Sequence, residues 1–142
     1  MRVFLDTSVL VAAFLGDHEH HDASLEAFLD LPGEEHFCAA HSLAEVYSTL
    51  TRLPGHHRVP ASHAALFIQE MCARLSPVEL TGRQYKAAIT AAARDGIVGG
   101  AVYDALILQC AMKSRAEKIL TCNLRDFRRI SPELAPIIRT PG

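Results

Sequence analysis

The stretch Val3-Phe4-Leu5-Asp6-Thr7-Ser8-Val9-Leu10 changes its hydrophobic period part-way along, and that change decides the fold class. Val3 to Leu5 is apolar and unpunctuated, the pattern of a strand buried on both faces. From Val9 the apolar residues recur at helical spacing through Leu10, Ala13 and Phe14. The reading is a strand that feeds a helix across Asp6-Thr7-Ser8. The same alternation continues outward. A helix is expected from about His21 to Leu31, stopped by Pro32-Gly33, with a buried strand at His36–Ala39 behind it. Helices over Ser42–Leu53 and Ala61–Leu75 precede a third strand at Pro77–Leu80 and a helix over Gly82–Arg94. Asp95-Gly96 and Gly99-Gly100 bracket a loop. A helix over Ala101–Ser114 leads to a fourth strand at Lys118–Thr121, and Ile137–Arg139 makes a fifth. This order predicts an α/β fold with a mainly parallel sheet of four or five strands, covered on both faces. Right-handed crossovers then gather the carboxyl ends of the strands on one edge, where ligands bind.

With 142 residues, 49% hydrophobic and 21% charged, the chain is expected to form one domain over 1–142 that needs no disulfide or structural metal to fold. It contains no internal repeat and no linker. The longest apolar run, Val9–Gly16, lies between Asp6 and Asp17. It is too short to span a bilayer and wrongly flanked for a signal peptide, so a cytosolic protein without membrane contact is expected. Cys38, Cys72, Cys110 and Cys122 match neither a CxxC metal site nor a secreted disulfide framework and are read as buried free thiols.

The net charge of −2 is unevenly spread. Residues 1–48 carry one base, Arg2, against nine acids, whereas residues 49–142 carry thirteen bases against seven. Lys113, Arg115, Lys118, Arg125, Arg128 and Arg129 surround only Glu117 and Asp126, the composition of a phosphate-facing patch or of an ordinary solvated helix end.

Four acids fall where this fold binds its ligands. Asp6 follows the first strand, Asp126 follows the fourth, and Glu45 and Asp104 stand at helix starts. Asp104 is the only charge in Ala101-Val102-Tyr103-Asp104-Ala105-Leu106-Ile107-Leu108. Burying a lone carboxylate costs several kcal/mol unless it is paired, neutralised or bound to a metal. Each acid taken singly has an ordinary role: Asp6 as a helix cap, Ser42-x-x-Glu45 and more loosely Asn123-x-x-Asp126 as capping boxes, Asp104 at a helix N-terminus. Four on one edge repel each other, and no Lys or Arg adjoins Asp6, Glu45 or Asp104 in sequence. Mg²⁺ or Mn²⁺ would supply the missing charge, since both prefer carboxylate and water oxygens and substrate phosphate. The chemistry expected of such a site is phosphodiester hydrolysis. Thr7, Ser8, Thr121 and Asn123 are short hydrogen-bonding residues suited to orienting a carboxylate, or to turns and caps.

Taken in order, Asp6-Thr7-Ser8-Val9-Leu10, Ser42-Leu43-Ala44-Glu45-Val46, Tyr103-Asp104-Ala105-Leu106-Ile107 and Thr121-Cys122-Asn123-Leu124-Arg125-Asp126-Phe127 resemble a PIN-domain nuclease, and specifically the VapC toxins of bacterial type II toxin–antitoxin systems. The likeness covers essentially the whole chain. It implies a three-layer α/β/α fold and a metal-dependent endoribonuclease whose acids are Asp6, Glu45, Asp104 and Asp126, assisted by Thr7 or Ser8 and Asn123. It also implies a homodimer and a small VapB-type antitoxin that blocks the site. The helices over Ser42–Leu75, with Leu43, Val46, Tyr47, Leu50, Leu66 and Ile68, are either a groove for that antitoxin or ordinary core.

Within this reading Asp6, Asp104 and Asp126 hold the metal, and Glu45 is a ligand or orients water. Arg125, Arg128 and Arg129 steer the RNA backbone. His18-Glu19-His20-His21 and His56-His57 read as solvated turns rather than zinc sites. Neither GxGxxG after the first strand nor GxxxxGK[ST] nor GxSxG occurs, which removes the dinucleotide, P-loop and serine-hydrolase classes. A phosphoacceptor receiver would need paired early acids and a lysine ending a late strand; here Lys118 begins one. A catalytically silent PIN-like module would lack one of the acids, and all four are present.

Overall fold

The computed structural model describes residues 1–29 and 33–142. Five strands, β1 (Arg2–Leu5), β2 (Glu35–Ala39), β3 (Ser76–Val78), β4 (Lys118–Leu120) and β5 (Ile138–Arg139), form one sheet in the order β3-β2-β1-β4-β5. Every neighbouring pair is parallel, with Phe4 opposite Phe37 on one side and Ile119 on the other. β1 is therefore the central strand, and the chain order reverses between β1 and β4. In open parallel sheets such a reversal leaves a crevice outside the strand ends.

Seven α-helices are seen among the described residues: α1 (Thr7–Phe14), α2 (His21–Leu29), α3 (Ala40–Thr51), α4 (Ala61–Arg74), α5 (Gly82–Arg94), α6 (Ala101–Lys113) and α7 (Leu124–Ile130). Alternation along the strands sorts the side chains to two faces. Val3, Leu5, Cys38 and Leu120 pack with Val9, Leu10, Val46, Leu50 and Met71 of α1, α3 and α4. On the opposite face Phe4, Phe37 and Ile119 pack with Ile107, Leu108 and Ala111 of α6 and Phe127 of α7. The result is the expected three-layer α/β/α arrangement. α5 lies against α6, starts in a reciprocal Thr81–Gln84 capping box, and ends at Gly96, whose φ of +72° is the left-handed conformation that glycine adopts freely.

Strand and helix ends lie within two residues of the sequence expectation, and α5 coincides with it. The expected end of the second helix at Leu31, with its stop at Pro32, lies outside the described residues. α7 had no periodic signal to reveal it: it has 7 residues and buries only Phe127. Cys38 and Cys110 are buried, but Cys122 is half-buried and Cys72 is exposed on the outer side of α4, so the expectation of four buried thiols is corrected. All four are free. Among the described residues no helix is long and apolar enough to cross a membrane.

Phe127, with no solvent exposure, anchors α7 and the carboxyl end of β4 to the core. Phe127→Ala is expected to cost about 3–5 kcal/mol in urea unfolding. Thr81→Ala, which removes a surface cap, should cost about 1 kcal/mol.

Candidate active site

β1 ends at Leu5, and the next residue, Asp6, turns the chain into α1. Its amide donates to Leu120 O of β4 at 2.9 Å, placing the carboxylate at the β1/β4 reversal. Asp6 is 2% exposed. It occupies the N-cap position of α1, yet its side chain makes no capping hydrogen bond, so the helix-cap reading does not account for it. Instead Oδ2 accepts from Ser8 Oγ at 2.7 Å and Thr121 Oγ1 at 2.9 Å. Each hydroxyl in turn accepts a backbone N–H, from Cys122 at 2.9 Å and Asn123 at 3.0 Å, which directs its single proton towards Asp6. These bonds favour the carboxylate, together with the nearby amides of Thr7 and Ser8, but burial outweighs them and pushes the Asp6 pKa up.

Thr7 turns the other way, its hydroxyl 2.7 Å from that of Ser42. Ser42 is buried inside α3, two residues past its start, so the Ser42-x-x-Glu45 capping box does not form. Its hydroxyl ties α1 to α3, and Glu45 follows at the same end of α3. Glu45 Oε1 lies 2.8 Å from His41 Nδ1 one turn back, a contact that fixes the carboxylate's direction. Asp104, in the first turn of α6, is half-buried. Its pKa is raised to about 6, chiefly by burial and then by repulsion from Asp6, Asp126 and Glu45, with Arg129 opposing. All four acids therefore share one electrostatic field. Asp126 lies in the first turn of α7, exposed and 3.6 Å from Arg129 Nη2.

Asp6, Thr7, Ser8, Glu45, Asp104 and Asn123 line a cavity of about 350 Å³. Among the described residues no three Asp, Glu, His or Cys side chains close into a metal cage by themselves. The donors nevertheless suit one kind of ion. They are oxygens, one is buried and held by hydroxyls, and the others are open to solvent, which fits a cation that keeps waters and takes only a few carboxylates. The acids are what would hold it.

The basic run does not form one patch. Lys113, Arg115 and Lys118 precede or open β4, while Arg125, Arg128 and Arg129 follow it, so the strand separates them. Lys113 is engaged with Glu79 O and Gln84 Oε1. Arg128 departs from the expected phosphate-facing role: its Nη2 donates to Ile138 O at 2.9 Å, and the side chain is drawn onto β5. Arg125 and Arg129 are exposed. Two groups beside the acids are not assigned to the site by the sequence. His18, read as part of a solvated turn, lines the acid cavity, its Nδ1 accepting from His20 N at 3.0 Å, and Arg52, just past α3, lines an adjoining cavity with Glu45. No pattern within a few residues of either places it beside the acids.

A family model described as PIN domain matches residues 3–132. The chain belongs to the PIN-domain family. Among its PIN-domain relatives, "Ribonuclease VapC40" of Mycobacterium tuberculosis is 37% identical over 120 residues, covering 84% of this chain and 85% of that protein. "Ribonuclease VapC27" of the same organism is 36% identical over 113 residues, covering 80% and 79%. Of solved structures, VapBC2 from Rickettsia felis bound to a promoter DNA fragment superposes with a TM-score of 0.68 at 19% identity, covering 99% of this chain and 98% of that one. M. tuberculosis VapC20, a sarcin–ricin-loop-cleaving toxin, gives 0.65 at 20% identity, covering 82% and 86%. These two establish that the PIN fold is shared; the curated relatives place the chain among the VapC-type members.

The raised pKa of Asp104 means that the folded protein binds more protons than the unfolded chain between 3.8 and about 6. Stability should therefore fall as pH rises through that window, and Asp6 adds a change of the same sign. In EDTA, thermal unfolding is expected to show this decline. Asp104→Asn should flatten part of it and raise Tm at pH 7.5 by about 2–6 °C. An unchanged slope in the variant would assign the titration to other groups.

Proposed function

We propose that this PIN-domain protein is the endoribonuclease toxin of a VapBC-type pair, that Asp6, Glu45, Asp104 and Asp126 carry its phosphodiester hydrolysis, and that it depends on Mg²⁺ or Mn²⁺. The observation that carries the reading is the perturbed Asp104, half-buried and repelled by the three other carboxylates. A surface that concentrates like charge at a cost is usually a site that later receives opposite charge. The names of VapC40 and VapC27 support RNA as the substrate class.

In this mechanism Asp6, Asp104 and Asp126 would hold the ion, which would supply positive charge against the phosphoryl oxygens. Ser8 and Thr121 keep the Asp6 carboxylate in one orientation. Glu45, aimed by His41, accepts the proton of the attacking water. The water oxygen forms a bond to phosphorus as the bond to the leaving ribose oxygen breaks, and that oxygen takes a proton from solvent. Asn123 lies at the cavity rim, within reach of a phosphate. Arg125 and Arg129, both exposed on α7, supply the steering charge.

A VapB-type antitoxin is the partner in this reading, supported by the VapBC2 neighbour. The protein acts in the cytoplasm, where its RNA is, as a single unit over 1–142. Exposed Leu66, Ile89, Val98 and Met112 offer apolar surface for a homodimer or the antitoxin.

The direct test is cleavage of a mixed pool of single-stranded and structured RNA, with matched DNA, by antitoxin-free protein in Mg²⁺, Mn²⁺ or EDTA. Cleavage of RNA is expected with either metal and not in EDTA. Asp104→Asn should lower it by about 10²-fold or more, since a ligand to the ion is lost. Wild-type rates in that variant would exclude the assigned site. Mg²⁺ should also raise the Tm of the wild-type protein more than that of the variant. Arg125→Ala should weaken RNA binding and lower the salt slope by about one unit. Arg128→Ala should instead lower Tm, because it releases β5.

A further inference from the structure

The acid cavity has two neighbours with which it shares lining residues. Glu45 and Thr49 line both it and a second cavity that reaches Arg52. His41 and Tyr103 line that second cavity and a third, and Ile107 lines the first and the third. The third, of about 360 Å³, differs in character. Ala40, Leu80 and Leu106 give it apolar walls, and Tyr85 and Tyr103 give it aromatic ones. At its rim the rings of His41 and Tyr103 lie parallel, 1° apart in plane with centroids 6.2 Å apart. Tyr103 is 54% exposed and Tyr85 37%, so both tyrosines of this cavity are open to solvent, and Tyr103 shares the second cavity with Glu45. The loop that closes the cavity is held in place: Lys113 donates to Glu79 O at 2.6 Å and to Gln84 Oε1 at 2.9 Å.

We propose that this side cavity takes one unpaired nucleobase of the RNA, next to the phosphate that is cut. The inference rests on the ribonuclease reading above and extends it to the substrate's base. Its volume is at the small end of the roughly 300–1,000 Å³ of ligand pockets, room for one base rather than a helix face. RNA bases outside a duplex splay out and stack on aromatic side chains, and such stacking tolerates any base because every base has a π face. The shared rim decides between this occupant and a protein segment. A chain whose phosphate lies over Asp6, Glu45 and Asp104 has its neighbouring base at His41 and Tyr103, while Arg52 at the far end of the second cavity meets the next phosphate. Selection is then modest and follows stacking strength, greater for the two-ring purines than for the pyrimidines.

Two measurements on the full chain test this. In the first, single-stranded RNA with randomised positions is cleaved in Mg²⁺ and the new ends are sequenced. Wild-type protein should show a base bias at one position beside the cut, modestly enriched in purines. Tyr85→Ala should weaken that bias and raise KM about 5–100-fold, the loss produced by removing one base–aromatic stack, with kcat changed far less. Thr90→Ala, exposed on α5 and lining none of the three cavities, should change neither. In the second, the tyrosine ring resonances are followed by NMR as AMP, GMP, CMP or UMP is added without metal. Signals of Tyr85 and Tyr103 should move with all four and most with AMP and GMP, and Leu106→Trp, which fills the cavity, should abolish the movement. Cleavage whose bias and KM survive Tyr85→Ala, with no ring shifts, overturns the pocket and leaves the ribonuclease reading standing. No cleavage by the wild type in any metal strikes that reading instead, and the ring shifts then decide the pocket alone. A change of mass in solution on Tyr85→Ala makes the cavity a contact between copies and overturns the proposal.

Discussion

The desolvation of one carboxylate, Asp6, is the constraint around which the site is arranged. A charge buried at the end of the central strand is unfavourable unless the surrounding groups answer it. The answer is assembled from three places: Ser8 in the first turn of α1, Thr121 just past β4, and the amides that hold those two hydroxyls in orientation. The bonds from Thr121 to Asp6 and from the Cys122 amide to Ser8 depend on the parallel pairing of β1 with β4, which sets Thr121 beside Asp6 although 115 positions separate them. The reversal of strand order at this point opens the crevice into which the carboxylate faces.

The four acids differ in how firmly they are held. Asp6 is enclosed and bonded, Glu45 is aimed by a single histidine, Asp104 is half-buried, and Asp126 is exposed beside Arg129. One rigid donor with others that can adjust suits an ion that arrives with its waters and with a substrate phosphate, since the site must re-form around each new substrate. The charge layout of the molecule fits the same use. Asp6, Glu45 and Asp104 line the crevice, and Asp126 stands beside it on α7 with the exposed Arg125 and Arg129, so negative charge at the centre is bordered by positive charge.

Fold and chemistry rest on different observations here. A sheet of this order with helices on both sides hosts many functions, and structural neighbours at 19% and 20% identity share no more than the fold with this chain. The PIN-domain match over 3–132, and relatives at 36–37% identity that carry the ribonuclease name, narrow the class. The carboxylates in the crevice give that class a physical basis in this molecule.

Much of this was legible in the amino-acid order. Short-range periodicity marked all five strands and six of the seven helices, because burying one face imposes a period of 2 or 3.6 whatever the rest of the chain does. Asp104 stood out as a lone charge in an apolar helix, and the ordered set of Asp6, Glu45, Asp104 and Asp126 could be named before any coordinates. What only the tertiary structure decided is what each polar group faces. Ser42 reads as a helix cap and in fact bonds Thr7; Arg128 reads as a phosphate ligand and is drawn to the carbonyl of Ile138; Cys72 reads as buried and is exposed. His18 reads as part of a solvated turn and lines the acid cavity, and Arg52 lies beside Glu45 with no local signal for it. The reason is one of range: hydrophobic periodicity is written within a few residues, whereas the partner of a hydroxyl or a guanidinium is set by which distant strand or helix packs beside it.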